Sequence, residues 1–503
     1  MEYLQHIADM FVAMVRDPWI VALIFGGSIA GLVVGVIPGL TATMALALLI
    51  NISYGMPLMH AVAFLLSVYV GATSGGLCSA IMINIPGTPA AAATSLDGFP
   101  LAKNGMGGLA IGTGFIASFI GTVFSILIML TLTPVLYLIA MDFGNWEMFL
   151  LALFGIMICG TLSTDKDPIK GWIVGFLGFA LSMVGMEEIY AYPRFAFGSL
   201  QLKGGIPLIA TLIGVFGISE VLSVLQEPVP YKIEGKVGRV IPPFNIFKKL
   251  IPSTLRSGII GVIIGAIPGA GEDVGAWLSY DMGKRWSKDG DKFGTGILEG
   301  VICPEVANNA VIGGAMIPLL TLAVPGSPPS AMFLAAMNLH GVRPGPMLNI
   351  ENPAFLPMVG VALLCASLAM VFWGLLLAKP MVGILKIKRE ILLPLVVPLT
   401  VIGAYSGGIR IFDVYLMLFA GVIGYVLRQM DYPLAPLVLG LILGPLADVS
   451  FRQALMQSRG MLIPLLQRPI GLVLLASVIW LIWTGIVRAR AYYKKLDSLD
   501  ISG

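Results

Sequence analysis

The chain has 503 residues, 57% of them hydrophobic and only 11% charged, with a net charge of +3. A water-soluble domain cannot bury that much apolar surface, so the composition excludes a soluble globular protein and indicates a multi-pass membrane protein. The charge is small and spread over loops, so no nucleic-acid partner is expected; the lipid bilayer is.

Glu2, His6 and Asp9 precede any apolar run and no basic leader is present, which predicts a short interfacial helix rather than a cleaved signal. Apolar runs follow at residues 20–37, 61–83, 109–139, 148–162, 172–186, 206–225, 311–324, 355–377, 391–404, 412–427 and 471–487. With about 20 residues needed per crossing, they predict an all-α polytopic fold of roughly 10–12 passages, broken ones included. Asp165, Lys166, Asp167 and Lys170 read as a solvated turn, and Glu187, Glu188 and Arg194 as an interfacial loop. Lys232, Lys236, Arg239, Lys248, Lys249 and Arg256 outnumber Glu227 and Glu234 in the central loop, and Arg488, Arg490, Lys494 and Lys495 crowd the C-terminus. Basic residues favour the cytoplasmic side, so both segments are expected there.

Two Pro-Gly elements interrupt the apolar sequence, GVIPGLTATM at Pro38-Gly39 and GAIPGAGEDV at Pro268-Gly269, 230 positions apart. Each is followed by a second break, at Pro86-Gly87 and Pro325-Gly326, and then by Leu-x-Gly at Leu96 and Leu339. The common order and near-constant offset predict two homologous repeats. Their implied organisation is a first half over 1–225, a basic cytoplasmic linker over 226–256, a second half over 257–450, and a C-terminal span with a basic tail over 451–503. Residues 257–281 are too few for two crossings and have basic flanks, which predicts a re-entrant hairpin, with 20–51 as its counterpart. An inverted relation between the halves is the favoured reading, as in many secondary transporters, with a parallel one left open.

A break in hydrocarbon survives only where protein or a wet cavity satisfies the freed backbone groups, and paired breaks mark substrate sites in transporters. Half-helix N-termini offer unpaired N–H groups to an anion. The candidate substrate-binding residues are therefore Pro38, Gly39, Thr41, Thr43, Pro86, Gly87, Thr88, Pro268, Gly269, Gly271, Pro325, Gly326 and Ser327. The alternative for any one glycine is close helix packing. In PEVANNA, Glu305, Asn308 and Asn309 share a helix face at i, i+3 and i+4, which makes the asparagines candidates for substrate contact and Glu305 for ion coupling. The competing reading puts Glu305 at a helix N-terminus beside Pro304, as a cap. Glu272 and Asp273, just past a hairpin tip, are further ion-coupling candidates or caps. Cys78, Cys159, Cys303 and Cys365 stand singly and His6, His60 and His340 form no cluster, so neither a disulfide nor a metal site is expected.

These motifs carry a resemblance. GVIPGL, GGLCSAIMINIPGTP, LDGFPLAKNG, RFAFG at Arg194–Gly198, GAIPGAG, PEVANNA, AVPGSP and PLVLGLILGPLAD together resemble the large membrane subunit of the tripartite tricarboxylate transporters, the TctA-like family. The resemblance covers nearly the whole chain; Glu272-Asp273 is more acidic than the pattern. It implies a non-enzymatic transporter subunit in the bacterial inner membrane, working with a small four-span membrane subunit and an extracytoplasmic solute-binding protein. It further implies uptake of citrate or another carboxylate driven by an ion gradient, with Na+ or H+ as coupling cation and no cofactor. The alternative is a permease subunit for another small solute, energised by a separate ATPase chain, since this chain has no G-x-x-x-x-G-K-[ST] loop. A membrane enzyme lacks support in any nucleophile elbow or His-carboxylate cluster.

Overall fold

Helices follow the apolar runs closely in the computed structural model, which describes residues 2–164, 167–226, 238–243, 245–385 and 389–500. The expectations placed on Asp165, Lys166, Glu227, Lys232, Glu234 and Lys236 fall outside these residues. Helix α1 (Glu2–Arg16) precedes α2 (Pro18–Val36), whose start is fixed by Pro18 and by Asp17, which accepts the Trp19 N–H at 2.9 Å. Pro38-Gly39, with Gly39 at φ 93°, ends α2 and leads to α3 (Ala42–Leu49). The buried α4 (Leu58–Ile83) stops at left-handed Asn84, and a Pro-Gly-Thr-Pro loop leads to α5 (Ala92–Lys103). There follow α6 (Gly107–Ala140), α7 (Asn145–Leu162), α8 (Pro168–Ser182) and a hairpin of β1 (Gly185–Met186) with β2 (Pro193–Arg194).

Short α9 (Leu200–Lys203) leads to α10 (Leu208–Leu212), which runs through a π-helical turn, Ile213–Ile218, into α11 (Ser219–Gln226). Beyond the linker come α12 (Asn245–Lys249), α13 (Ile251–Ala266), α14 (Gly271–Trp286), α15 (Leu298–Leu322) and α16 (Pro328–Leu339). The remainder is α17 (Leu348–Glu351), α18 (Phe355–Leu376), α19 (Ala378–Ile384), α20 (Arg389–Gly408), α21 (Ile411–Gln429), α22 (Ala435–Gln457), α23 (Ile463–Leu466) and α24 (Pro469–Asp500). Among the described residues, nine helices are long and apolar enough to cross a membrane, so the chain is an all-α polytopic membrane protein.

Three expectations need correction. The run drawn at 311–324 is the second half of α15, which starts at Leu298; Glu299, Glu305, Asn308 and Asn309 lower its hydropathy although all four are buried. The 23-residue α22 has no counterpart among the expected spans, because Gly440, Gly444, Pro445 and Asp448 interrupt its apolar pattern. Asp167 is not a solvated turn residue: it is buried, caps α8 at Ile169 N–H, and accepts a hydrogen bond from Tyr493 at 2.5 Å.

Packing divides the chain into two units, the first comprising Met1–Tyr137, Glu220–Ala266 and Gly271–Gly403. The second comprises Leu138–Ser219, Ile267–Ala270 and Ala404–Gly503. Along the chain the same order of elements occurs twice: a helix ended by Pro-Gly, a second helix, a long buried helix, a left-handed stop (Asn84, Ala323), and Pro-Gly-Thr/Ser-Pro opening the next helix. Glycines let α2 press on α4, and α13 on α15. A Cβ at Gly75 would lie 2.6 Å from Leu32 O, and one at Gly314 2.6 Å from Val262 O. Gly87 likewise abuts Gly35 O, and Gly326 abuts Gly265 O. Helices α13 and α14, 16 residues each, measure roughly 24 Å, less than the ~30 Å of a hydrocarbon core.

In the second unit α8 packs on α7 and α22, α7 also on α22 and α24, and the π turn on α21. Gly214, Gly421 and Gly424 make that last approach possible. Arg194 donates to both carboxylate oxygens of Asp448, and Glu187 pairs with Arg452, tying the hairpin to α22. The bond to Asp448 raises the pKa of Arg194, keeping its guanidinium charged.

The close approaches give a test of packing. Replacing Gly265 by Val would drive a side chain into Val311 O and Ala315 N, 2.5 and 2.8 Å from an ideal Cβ, and is expected to lower the thermal midpoint of the purified protein by many degrees. Gly383→Ala, with open space around its Cβ, should leave it unchanged or slightly raised. A midpoint for Gly265→Val equal to wild type would contradict the packing.

Candidate functional site

The centre of the first unit is polar. Glu305 stands two turns inside α15 with Pro304 also within the helix, so its carboxylate does not cap a helix start. It is fully buried: Oε1 accepts from Thr94 of α5 at 2.6 Å, and Oε2 from Ser118 of α6 at 3.0 Å and from Asn308 Nδ2 at 3.3 Å. Asn309 Nδ2 donates to Asn308 Oδ1 at 2.8 Å, while its own Oδ1 accepts from Ser74 of α4 at 3.0 Å and more weakly from Thr122 of α6. The shared face read from the i, i+3, i+4 spacing is therefore real. Its partners come from α4, α5 and α6 on the other side of the linker.

A second buried cluster forms around Glu272 in the first turn of α14. Tyr69, from the middle of α4, donates its hydroxyl to Glu272 Oε1 and lies 2.8 Å from Ser327 Oγ. Ser327 begins α16, where its Oγ accepts the Ser330 N–H at 3.3 Å and Ser330 Oγ accepts the Ser327 N–H at 2.9 Å. Asp273, the next residue after Glu272, is exposed, so the two acidic candidates point into different surroundings. Among the described residues, neither Glu272 nor Glu305 is bonded to a Lys or Arg; their side-chain hydrogen-bond donors are hydroxyls and an amide.

The breaks lie beside these clusters. Helix α14 packs on the Pro89–Ala91 turn and α16 on α3, so the element after Pro268-Gly269 meets the one after Pro86-Gly87, and the element after Pro325-Gly326 meets the one after Pro38-Gly39. Gly271 N–H donates to Gly326 O at 3.3 Å. Thr41 caps α3 by accepting the Met44 N–H at 3.2 Å, and Thr43, two residues on, is buried. Thr88 behaves otherwise: its hydroxyl is buried without a hydrogen-bond partner among the described residues, as is that of Thr73 on α4. Pro38, Gly39, Pro86, Gly87, Pro325 and Gly326 all belong to the first unit. Pro268 and Gly269 belong to the second, where Cys159 Sγ approaches Gly269 O at 3.6 Å.

Sequence reading missed Tyr69 and Asp97. A tyrosine amid a 61–83 apolar run signals a buried hydroxyl that needs a partner, and Tyr69 is one. Asp97 is buried and accepts from Gly294, Gly296 and Ile297 N–H at 2.8–3.0 Å and from Tyr280 at 2.8 Å, fixing the loop that starts α15. That role depends on a loop almost 200 residues away and leaves no local mark. All four cysteines are free, and among the described residues no group of three or more His, Cys, Asp or Glu could hold a metal ion.

Chemically, such a centre offers neutral donors to an anion and two carboxylates to a cation or proton, all shielded from water. Asn309→Ala should strand Ser74 and Asn308 groups at a cost of about 1–3 kcal/mol, read as a lowered thermal midpoint. Tyr69→Phe should cost a similar amount by removing a donor from Glu272. Midpoints equal to wild type in both variants would mean that the networks do not hold the core together.

A family model described as "Tripartite tricarboxylate transporter TctA family" matches residues 21–439. An uncharacterized 52.8 kDa protein in the TAR-I ttuC′ 3′ region of Agrobacterium vitis is 34% identical over 453 residues, covering 90% of each chain. An uncharacterized protein in the TAR-II ttuC′ 3′ region of the same organism is 38% identical over 200 residues, 40% of this chain and 83% of the relative. No solved structure matches the chain.

Proposed function

Since the chain belongs to the tripartite tricarboxylate transporter TctA family, a family of transporter components and not of enzymes, we propose that it is the membrane subunit through which a carboxylate is taken up, driven by an ion gradient. The observation that carries this reading is the pair of buried carboxylates, Glu305 and Glu272, held only by neutral hydrogen-bond donors beside broken helices. A substrate carboxylate would be received by N–H groups and hydroxyls at the breaks, with Thr88 the hydroxyl free to turn to it. A coupling Na+ or H+ would neutralise Glu305 or Glu272, linking its gradient to solute movement. The partners in this reading are a small four-span membrane subunit and an extracytoplasmic solute-binding protein, in a bacterial inner membrane.

Orientation follows from contacts within the second unit. The Asp167–Tyr493 bond and the Lys170 Nζ bond to Met430 O (2.7 Å) place the start of α8 and the ends of α21 and α24 at one end. Arg488, Arg490 and Lys494 gather there, which supports reading that end as cytoplasmic. The hairpin, tied to Asp448 and Arg452 late in α22, lies at the other end and faces outward. In a background without native cysteines, Phe197→Cys, whose native side chain is 88% exposed, should react with an impermeant thiol reagent from outside. Lys494→Cys should react only after permeabilisation. The opposite pattern would overturn the orientation.

Transport is tested in proteoliposomes holding both membrane subunits, with citrate as solute and an imposed cation gradient. Accumulation should need the binding protein and collapse with an ionophore. Glu305→Gln should abolish accumulation while sparing expression and gradient-free exchange. ATP-dependent accumulation that is insensitive to ionophores would favour the reading of a permease energised by an ATPase chain.

A further inference from the structure

Outside the two carboxylate clusters, another charged group stands out among the described residues of the first unit. Arg256 lies on the second turn of α13, directly after the basic linker. Its Nε and Nη2 are both buried and have no hydrogen-bond partner among the described residues. These two nitrogens form one edge of the guanidinium, the side-on fork whose parallel N–H groups match the two oxygens of a carboxylate. Arg256 as a whole is only half-buried, but a guanidinium edge shielded from water without an anion is costly, so the edge calls for one.

The neighbouring groups are otherwise engaged. Glu299, the nearby acid at the start of α15, accepts from Ser253 at 2.5 Å and Ser287 at 2.7 Å, one hydroxyl on each oxygen. Cys303 lies beside Glu299 and within hydrogen-bond reach of the Arg256 side chain, but a thiol brings no charge to balance the guanidinium. Trp286, at the end of α14 and 68% exposed, stacks over the guanidinium with its ring 5.7 Å from Arg256 Cζ. Stacking covers a face of the guanidinium, and movement of the exposed indole would open the buried edge to an anion. Exposed Lys284 and Lys288 flank Trp286 in sequence, while the exposed Arg285 between them pairs with Asp281 at 2.8 Å.

We propose that Arg256 is an anion site on the cytoplasmic side of the α13–α14 pair, where a carboxylate of the transported solute is held side-on before release, with Trp286 as its cover. This rests on the carboxylate-uptake reading. The side follows from the position of Arg256 next to the basic linker.

The test uses the complete membrane complex in inside-out vesicles, with citrate exchange started from the exposed cytoplasmic face. Arg256→Lys keeps the charge and loses the fork; it should raise half-saturating citrate at this face about tenfold or more while moving the outer-face value less than twofold. Arg256→Gln should do at least as much. Wild-type half-saturation in Arg256→Lys would overturn the proposal, since a point charge would then suffice. If wild-type vesicles exchange no carboxylate, the uptake reading itself fails. With exchange intact and both variants normal, only the Arg256 site fails. Vesicles of phosphatidylcholine alone remove the net-anionic headgroups: an effect that persists supports the solute, and one that vanishes assigns the fork to an anionic lipid headgroup and overturns the solute site. Should the variants fail to assemble, phenylglyoxal modification of wild-type Arg256, mapped by mass spectrometry, should be slowed by citrate but not by equimolar chloride. Equal rates would count against the site.

Discussion

Where a membrane interior holds no water, each backbone group freed by a helix break must find a protein partner, and this requirement organises the first unit. The breaks at Pro38, Pro86 and Pro325 are possible because a second element lies close enough to close over each one. Closeness is supplied by glycine. Gly35 and Gly265, just ahead of the first breaks, present carbonyls against which Gly87 and Gly326 of the second breaks are seated. A side chain at any of these four positions would hold the segments apart and leave the broken ends without cover.

The polar centre is a second consequence of the same geometry. Small residues that bring α4 against α2, and α15 against α13, also bring hydroxyls from α4, α5 and α6 within reach of Glu305 and Asn309. Packing and polarity are therefore not separate layers here: the stripe that allows contact also delivers the donors that make buried carboxylates tolerable. Glu272 depends on the same arrangement through Tyr69 and Ser327.

Much of this was legible in the chain. Apolar runs place most spans, the paired Pro-Gly elements place the broken segments, and PEVANNA puts three polar side chains on one face. What escaped reading has physical causes. Helix α15 begins 13 residues before its apolar run because buried polar groups satisfied by distant partners look like a solvated segment. Helix α22 is hidden by glycines and by Asp448, whose partner Arg194 is 254 residues away. Tyr69 carried a signal, a phenol amid aliphatics, whereas Asp97 carried none, since its partners belong to a loop in the other half.

The π turn at Ile213–Ile218 has a genetic consequence. It holds a residue more than an α-turn needs, so loss of one residue inside it could be absorbed by tightening to α geometry. The same deletion elsewhere in α10 or α11 would rotate everything after it by about 100° and turn the buried faces outward. Residues 213–218 should thus be where this helix tolerates variation in length, and its flanks where a frame-preserving deletion destroys the protein.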